Sequence, residues 1–328
     1  MTNHRVLEIQ PNSTVALHGL TLTGGNANLG GAIFADGSGS GNAVQLTLNA
    51  CTLSGNSSIN LGGGIFSSGS SGGSASLSLS QCTLTGNSAT FGGGIFSDGR
   101  NGSANLSLSN TILAGNTASS DPDLRNTANS STVTLTGNNL FNQMSPPDPL
   151  LAPLGDYGGP TQTMIPLPGS LAIDAATTST ITEDQRGFAI TDGSPDIGAA
   201  EFFPGDIDTI LTEFGDDDDN DGLPFLIELA IGTDPFTPDP NSPRALTLTI
   251  LDDGTPRLTF GYISETRDLI NLEVQRSTDL SNFDVLLDLN TGTLNGVDLD
   301  NFDPTDLLQV DDPNLNASKA FYRLKATR

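Results

Sequence analysis

The sequence predicts an all-β protein in which a parallel β-helix is followed by a short linker and a β-sandwich. A repeat predicts the first part, because residues 46–66 (LTLNACTLSGNSSINLGGGIF) recur almost intact at 77–96 as LSLSQCTLTGNSATFGGGIF. No stretch before residue 200 shows a sustained helical period. Beyond Pro243 the pattern changes to short runs of alternating apolar and polar residues, which are typical of antiparallel strands.

The repeat has a nearly constant length. The leucine that precedes each Gly-Asn pair occurs at Leu22, Leu53, Leu84 and Leu113, with spacings of 31, 31 and 29 residues. Each unit contains three short alternating runs separated by Gly, Asn and Ser, which predict three strands and three turns. Such units stack as the coils of a parallel β-helix, where equivalent residues lie about 4.8 Å apart. We expect ladders of Leu, Ile and Cys to fill its interior.

Two segments of this half resemble known families. The GN…GGG-I-F pattern over residues 15–142 resembles the polymorphic outer-membrane-protein repeat of bacterial surface proteins. The elements GGPT, PGS-x-AID, DQRG and DIGA-x-E of residues 148–202 are similar to the segment that closes right-handed β-helices in the choice-of-anchor Q family of secreted bacterial proteins. Leu171 stands where that family more usually has proline. The resemblance implies a right-handed β-helix over 1–203, capped by residues 148–203.

The capping segment contains a candidate charged cluster. Its members are Asp184, Arg186, Asp196 and Glu201, and Arg186 is the only cation between residues 126 and 243. One interpretation is a polar functional site. The interpretation that we favour is a set of buried structural ion pairs that holds the segment in place.

An acidic motif follows the predicted β-helix. Residues 217–228, DDDNDGLPFLIE, match the calcium-loop pattern D-x-[DN]-x-[DN]-G-x5-E without a gap. Alternate oxygens on a tight loop converge on one hard cation, Gly222 permits the sharp turn, and a helix over about 223–231 supplies the last carboxylate. The predicted ligands are Asp217, Asp219, Asp221, Leu223 through its carbonyl oxygen, and Glu228.

We expect Ca²⁺ at this loop, because the spacing supplies more protein oxygens than the small octahedral shell of Mg²⁺ accepts. The surrounding DGLPFLIELAIGTDP resembles the single-loop calcium motif of bacterial thrombospondin-type-3-like and dockerin-like segments, and Asp234 of its GTDP tail is a further candidate ligand. Four carboxylates so close together repel one another strongly without a cation. The alternative interpretation is a solvated acidic linker. Since only one loop is found, a structural clamp is expected rather than a regulatory sensor.

Three domains follow from these patterns: the β-helix over 1–203, the calcium-binding linker over 204–243 and the β-sandwich over 244–328. The sandwich is predicted from five strand candidates and the turns between them. These candidates are residues 245–251, 257–263, 271–277, 283–289 and 320–326.

Two cysteines, Cys51 and Cys82, occupy the same place in successive repeats. Stacked residues about 4.8 Å apart are within the Cα range of a disulfide, although parallel Cβ directions strain the bond. A buried thiol ladder and a disulfide therefore both stay open. Neither is catalytic, because no basic neighbour is available to form a thiolate.

Charge limits the partners that this chain can bind. The formal net charge is −26, and most of it lies after residue 203. Nucleic acid and anionic membranes are therefore excluded as partners, whereas divalent cations are favoured. The sequence contains no apolar stretch long enough to predict membrane insertion, and no export signal is recognisable in it. Because a coil begins almost at residue 1, we expect an extracellular or cell-surface protein whose export signal and N-terminal cap precede this sequence.

The repeats lack the side chains that catalysis on polysaccharides requires. A lyase needs a base and a cation that neutralises a uronate, and a glycosidase needs two carboxylates. Residues 15–141 contain no Lys, Tyr or Glu, and apart from Cys51 and Cys82 their charged or titratable side chains are His18, Asp36, Asp98, Arg100, Asp121, Asp123 and Arg125. No catalytic residue is predicted.

These observations predict a non-catalytic adhesion or binding module with structural Ca²⁺. Its partner would be an extracellular glycan or a cell-surface component. The alternative is a carbohydrate-active protein, either lyase-like or glycan-binding, whose active coils precede this sequence.

Overall fold

The computed structural model describes residues 4–127, 131–141, 149–191, 193–215, 217–221, 223–239, 242–252, 255–266, 269–277, 283–290, 293–294, 297–299, 306–312 and 320–328. In these ranges the regular structure is β-strand apart from two α-helices and the 3-10 turn Ser264–Thr266, which confirms the all-β class. The chain forms two compact units, Met1–Pro166 with Ser170–Phe203 and Leu167–Gly169 with Pro204–Arg328.

Four parallel sheets build the first unit, and they confirm the predicted parallel β-helix. One sheet contains β1 (Leu7–Ile9), β5 (Ile33–Asp36), β9 (Ile65–Ser68), β13 (Ile95–Asp98) and β17 (Leu124–Thr127). The next contains β2 (Ser13–His18), β6 (Ala43–Asn49), β10 (Ser74–Ser80), β14 (Ser103–Ser109) and β18 (Val133–Thr136). The third contains β3 (Thr21–Thr23), β7 (Thr52–Ser54), β11 (Thr83–Thr85), β15 (Ile112–Ala114) and β19 (Leu140–Phe141).

The fourth sheet corrects the prediction of three strands per coil. It contains β4 (Asn26–Leu29), β8 (Ser57–Leu61), β12 (Ser88–Phe91) and β16 (Thr117–Ser120). These segments are rich in Ser, Thr and Asn and lack a clear apolar alternation, so the sequence pattern favoured turns. Pairing with the equivalent segment of the next coil satisfies their backbone groups, and this stacking overrides the weak local preference.

Aliphatic ladders fill the interior, as predicted. Leu77 lies between Leu46 and Leu106 of the neighbouring coils, with all three at most 1% exposed. Cys51 and Cys82 belong to the same core. Fully burying one such aliphatic side chain contributes about 1.5–3 kcal/mol, so each added coil extends a core that a single coil cannot form.

An asparagine ladder runs beside the aliphatic ones. The side-chain oxygen of Asn87 accepts hydrogen bonds from both the backbone and the side-chain nitrogen of Asn56, at 3.1 and 3.0 Å. Asn116 accepts the same two bonds from Asn87. All three asparagines are at most 3% exposed. The Asn of each repeat therefore links coils in the interior, beyond the turn role that the sequence suggested.

The Gly-Gly blocks allow the coils to approach closely. A Cβ atom added at Gly63 would collide with the carbonyl oxygens of Gly93 and Ser88 in the next coil. This position requires glycine because two backbones pass where a side chain would stand.

The segment after the repeats lies along the side of the coils. Thr21, Thr52, Thr83 and Ile112 form one outward row of the third sheet, with one residue from each coil. Gln185 hydrogen-bonds to Thr21 and Thr52, at 2.8 and 2.6 Å, while the backbone nitrogen of Ala199 donates to the Thr83 hydroxyl at 3.0 Å. Closure of the last coil by this segment stays a prediction. Gln185 and Ala199 show instead that the segment binds laterally to successive coils, and we call it the brace.

The second unit contains the two α-helices and three small antiparallel sheets, consistent with the predicted β-sandwich. Its helices are α1 (Asp206–Phe214) and α2 (Phe225–Ile231). One sheet has β20 (Thr247–Ile250), β21 (Pro256–Gly261) and β26 (Leu307–Asp311), and another has β23 (Asp284–Asp288), β22 (Asn271–Ser277) and β27 (Phe321–Thr327). A two-stranded ribbon pairs β24 (Thr293–Leu294) with β25 (Val297–Asp298). All five predicted strands are present, while β24, β25, β26 and α1 were missed.

The apolar residues of helix α1 carry a helical sequence pattern. Ile207, Ile210, Leu211 and Phe214 follow the i, i+3, i+4, i+7 spacing of an amphipathic helix, and Ile207 and Ile210 are buried. Neither helix is long and apolar enough to cross a membrane, as far as the described residues extend.

Candidate metal centre

Helix α2 brings its carboxylate to the acidic loop. Pro224 precedes the helix in an extended conformation (φ −64°, ψ 142°), and Gly232 ends it in the left-handed region at φ 80°. Glu228 lies in the first turn of the helix and is fully buried. A buried acidic side chain at this position is costly, because a carboxylate in a low-dielectric interior needs compensating charge or hydrogen bonds.

Two groups of carboxylates meet at Asp221. Ligand atoms of Asp217, Asp219 and Asp221 all lie within 4.8 Å of one another, and so do those of Asp221, Glu228 and Asp239. Asp217 is exposed, whereas Glu228 is buried and the others are half-buried. Asp217, Asp219 and Asp221 are therefore brought together, and Glu228 and Asp239 meet this group at Asp221, with Asp239 coming from outside the predicted motif.

Three carboxylate oxygens of this region are buried and have no hydrogen-bond partner. They belong to Asp219 (Oδ2), Glu228 (Oε2) and Asp239 (Oδ1). The other oxygen of Glu228 accepts a hydrogen bond from the Thr233 hydroxyl at 3.2 Å. An unsatisfied buried acceptor normally costs about 1–3 kcal/mol, and more when it is charged.

The electrostatics of the centre follow from this crowding. Burial, together with the charges of Asp219 and Asp221, raises the pKa of Glu228 to about 8. Burial is also the main cause that raises the pKa of Asp219 and the pKa of Asp239. Without a cation, the arrangement therefore favours protonated carboxyl groups at this point.

The loop backbone orients the acidic side chains. The amide of Asp221 donates to Asp219 Oδ1 at 3.1 Å, and the amide of Leu223 donates to Asp221 Oδ1 at 2.8 Å. The carbonyl of Leu223 as a ligand stays a prediction. Gly222, predicted to permit the turn, lies outside the described residues.

Asp234 and Asp239 have different surroundings. The two carboxylate oxygens of Asp234 accept hydrogen bonds from the amide of Phe236 at 3.0 Å and from the hydroxyl of Thr237 at 2.8 Å. Asp234 therefore forms a turn, although its charge is close enough to raise the pKa of Asp219 as a secondary cause after burial. Asp239 lies eleven residues after Glu228, beyond the helix and this turn. Its approach carries no sequence signal, because it depends on how the intervening chain folds back.

These residues fit a hard divalent cation. Ca²⁺ prefers six to eight oxygen ligands, with carboxylates among them, and tolerates irregular geometry. The centre offers carboxylates from five residues, three of which contribute buried oxygens without a partner. A cation would satisfy those oxygens and remove the mutual repulsion in one step.

The charged cluster predicted in the capping segment forms a buried network of hydrogen bonds. Arg186 Nε donates to Asp184 Oδ2 at 2.8 Å, with side-chain exposures of 0% and 2%. The Asp184 carboxylate also accepts the amides of Arg186, Phe188 and Glu201. The Arg186 guanidinium packs on Phe188 and Phe203, at 4.7 and 5.3 Å from the ring centroids.

Asp196 and Glu201 lie beside this pair and bind the backbone. Asp196 accepts the amides of Asp174 and Phe202, both at 2.7 Å, and Glu201 accepts the amide of Asp196 at 3.1 Å. Gln185 was not predicted as a functional residue. It lies between the ion-paired Asp184 and Arg186, and its side chain connects the brace to two coils. A polar residue inside the DQRG element was the available signal.

The two cysteines are free thiols in the interior of the β-helix. A hydrogen bond with Cys82 lowers the pKa of Cys51, whereas burial raises the pKa of Cys82 well above its usual value. The pair forms part of the core at adjacent coils.

The acidic side chains of the repeats have local structural partners. Asp98 is bound by Arg100, Asp121 by Arg125, Asp123 by the Asn116 side chain and Asp36 by the amide and hydroxyl of Ser38. Each of these contacts joins residues of the same coil.

The outward face of the second sheet carries a groove of about 500 Å³. It is lined by Asn12, Ser13, Thr14, Ala43, Val44, Gln45, Ser74, Ala75, Ser76 and Asn105. No lining side chain is ionisable, so the groove can offer hydrogen bonds but neither charge nor proton transfer.

Searches against protein families, against characterised proteins and against solved structures find no match to this chain.

Proposed function

We propose that this chain is an exported, non-catalytic binding module of a bacterial cell surface or secretome, in which the β-helix presents a neutral polar face to a glycan and Ca²⁺ stabilises the second unit. The observation that carries the proposal is the chemistry of the outward face of the sheet formed by β2, β6, β10, β14 and β18.

Outward residues of this sheet form rows that follow the coils. Thr14, Gln45, Ser76 and Asn105 are aligned in register, with one residue from each coil. The adjacent row contains Ala16, Thr47, Ser78, Ser107 and Thr134. His18, in a third row at the first coil, is the one ionisable side chain among the described residues of these rows.

This surface suits a neutral ligand that is rich in hydroxyl groups. Hydroxyl and amide side chains both donate and accept hydrogen bonds, as sugar hydroxyls do. Their spacing of about 4.8 Å from coil to coil repeats along the axis, which favours a ligand that is itself a repeating polymer. A charged polymer finds no counter-charge in the groove, and a lyase reaction would need a base with a neighbouring cation. A neutral polysaccharide therefore fits better than a polyuronate.

Binding of the purified full chain to immobilised polysaccharides tests the proposal. Retention on mannan, xylan or dextran, but not on polygalacturonate or heparin, is the expected result. Gln45→Ala should weaken retention, whereas Asn60→Ala, at an exposed amide on β8, should leave it unchanged. Equal loss in both variants would contradict the assignment to this face.

The same preparation tests the enzymatic alternative. Release of unsaturated product from polygalacturonate, seen as ultraviolet absorbance, would overturn the non-catalytic proposal. So would cleavage of any of the neutral polysaccharides, measured as new reducing ends.

A further inference from the structure

We propose that Asp239 is a ligand of the cation at the acidic loop and that Asp234, the aspartate of the GTDP tail, is not. This inference rests on the proposed Ca²⁺ binding and names a ligand that the loop motif does not contain. The metal class is a hard divalent cation with oxygen ligands, since the candidate ligands that converge there among the described residues are carboxylates.

The buried oxygens locate the cation. Glu228 is fully buried, and its Oε2 has no hydrogen-bond partner. Oδ1 of Asp239 is likewise buried without a partner, and both side chains have ligand atoms within 4.8 Å of an Asp221 oxygen. A single cation among these three carboxylates would satisfy both orphaned acceptors.

Backbone contacts help to hold Asp239 in this place. Its backbone amide donates to Asp221 Oδ2 at 3.0 Å. Its carbonyl accepts the amide of Ser242 at 2.7 Å. Two residues before Pro238, Phe236 packs edge-on against Phe214 and Phe225, with ring centroids 5.3 and 5.8 Å apart. The chain that returns from α2 is therefore anchored, and the carboxylate of Asp239 is presented to the loop.

The placement of Asp234 differs from that of Asp239. Both of its oxygens are hydrogen-bonded to the turn that reverses the chain after α2. Among the described residues, the acidic groups close enough to share a cation at this loop include Asp239 and omit Asp234. Asp234 acts as a positioning residue, because its turn directs the chain toward Asp239.

A cation bound in this way joins three separate segments. They are the loop 217–221, helix α2 and the returning chain 233–239. The cation would clamp the fold-back of the chain as well as the loop, which a motif of twelve residues alone cannot do.

Calorimetric titration of the full chain with CaCl₂, after removal of metal with EDTA, tests the assignment. The two matched variants D239N and D234N each replace one carboxylate with an amide of the same shape. D239N is expected to raise the dissociation constant by at least about tenfold. Substitutions of residues that only support the ligands already weaken metal binding by about that factor, so the loss of a ligand should cost at least as much. D234N is expected to change it by less than about threefold, since an amide oxygen can still accept at the turn.

Thermal unfolding separates a ligand from a purely structural residue. In EDTA, D239N should melt at or above the wild type, because one buried like charge is removed, and with CaCl₂ it should gain less than the wild type does. A D239N chain that melts below the wild type in EDTA and gains the same shift with CaCl₂ would overturn the assignment.

The outcomes distinguish this inference from the proposal on which it rests. Absence of CaCl₂ uptake by the wild type overturns both. Uptake by the wild type with an unchanged dissociation constant in D239N overturns only the role of Asp239, as would a larger loss in D234N than in D239N.

Discussion

The asparagine ladder of the β-helix and the carboxylate cluster of the acidic loop are two buried polar systems with opposite balances. In the ladder, Asn56, Asn87 and Asn116 donate and accept among themselves and with neighbouring carbonyls. In the loop, Asp219, Glu228 and Asp239 keep buried oxygens without donors. An amide carries both halves of a hydrogen bond, whereas a carboxylate only accepts. Stacked amides therefore satisfy one another, and stacked carboxylates require something positive.

This difference explains where each region obtains its stability. The β-helix is completed by its own repeats, because each coil supplies partners for the next. The acidic centre is incomplete as a set of protein groups alone, and a bound cation would complete it.

The largest loss of stability is expected when a carboxylate replaces an amide of the asparagine ladder. Asn87→Asp removes the donor to the Leu53 carbonyl and to Asn116, and it places a charge at a site that is 0% exposed. An uncompensated buried charge costs about 3–5 kcal/mol, which should appear in urea unfolding at neutral pH.

The control for this substitution is Asn60→Asp, at an exposed amide. We expect it to change the free energy of unfolding by less than about 0.5 kcal/mol. A ladder variant as stable as this control would contradict the comparison.

The next effect concerns the apolar ladders. Leu79 is buried between Leu48 and Leu108. Leu79→Ala should lower the free energy of unfolding by about 3 kcal/mol, because apolar surface is no longer buried and a cavity is left. Ser78→Ala, on the outward side of the same strand, should be nearly neutral. Denaturant midpoints of the two variants check the prediction, and equal midpoints would refute the assignment of inside and outside.

A smaller and more selective effect is expected from Ca²⁺. At a hundredfold excess over its dissociation constant, a ligand that binds only the folded state stabilises by about 2.7 kcal/mol. Hydrogen exchange should therefore slow in residues 217–239 on addition of CaCl₂, while the amides of Leu77 and Leu79 should exchange at an unchanged rate. Slowing of comparable size in both regions would argue against a local site.

The metal-free centre should also depend on pH. The pKa of Glu228 is raised to about 8 in the folded chain, against about 4.3 for an unfolded glutamate. The folded state therefore holds more protons between these values, and the stability of the second unit falls as pH rises through this window, by at most about 1.4 kcal/mol per pH unit.

Chelated protein melted at a series of pH values measures that slope. Glu228→Gln should flatten it, because the amide does not titrate. Saturating Ca²⁺ should also flatten it, since the metal binds the deprotonated carboxylate and the unfolded glutamate is already deprotonated in this window. A flat profile in the wild type would contradict the burial of a titrating Glu228.

Residue patterns predicted well what depends on repetition. The register of Leu46, Leu77 and Leu106 follows directly from the period of the repeat, and so does the burial of Cys51 and Cys82. The fourth strand of each coil was missed because its residues, such as Ser57–Leu61, have weak strand preference and are held by pairing with their copies. Helix α1 was missed although its apolar spacing was present.

At the acidic loop, too, some residues were predicted from the sequence and others were not. Asp217, Asp219, Asp221 and Glu228 were found together because a loop and one helical turn convert fixed spacing into proximity. Asp239 was not predicted, and Asp234 of the GTDP tail was only a further candidate.

Local rules were therefore sufficient for the apolar ladders of the coils and for the spacing of the loop motif, since neighbouring residues and exact repeats leave little conformational freedom. Tertiary structure alone decided the course of the brace along the coils, where Gln185 meets Thr21 and Thr52, and the return of Asp239 to Glu228. These contacts depend on turn geometry and on packing such as that of Phe236 against Phe225. Such terms accumulate over many residues and leave no period in the sequence.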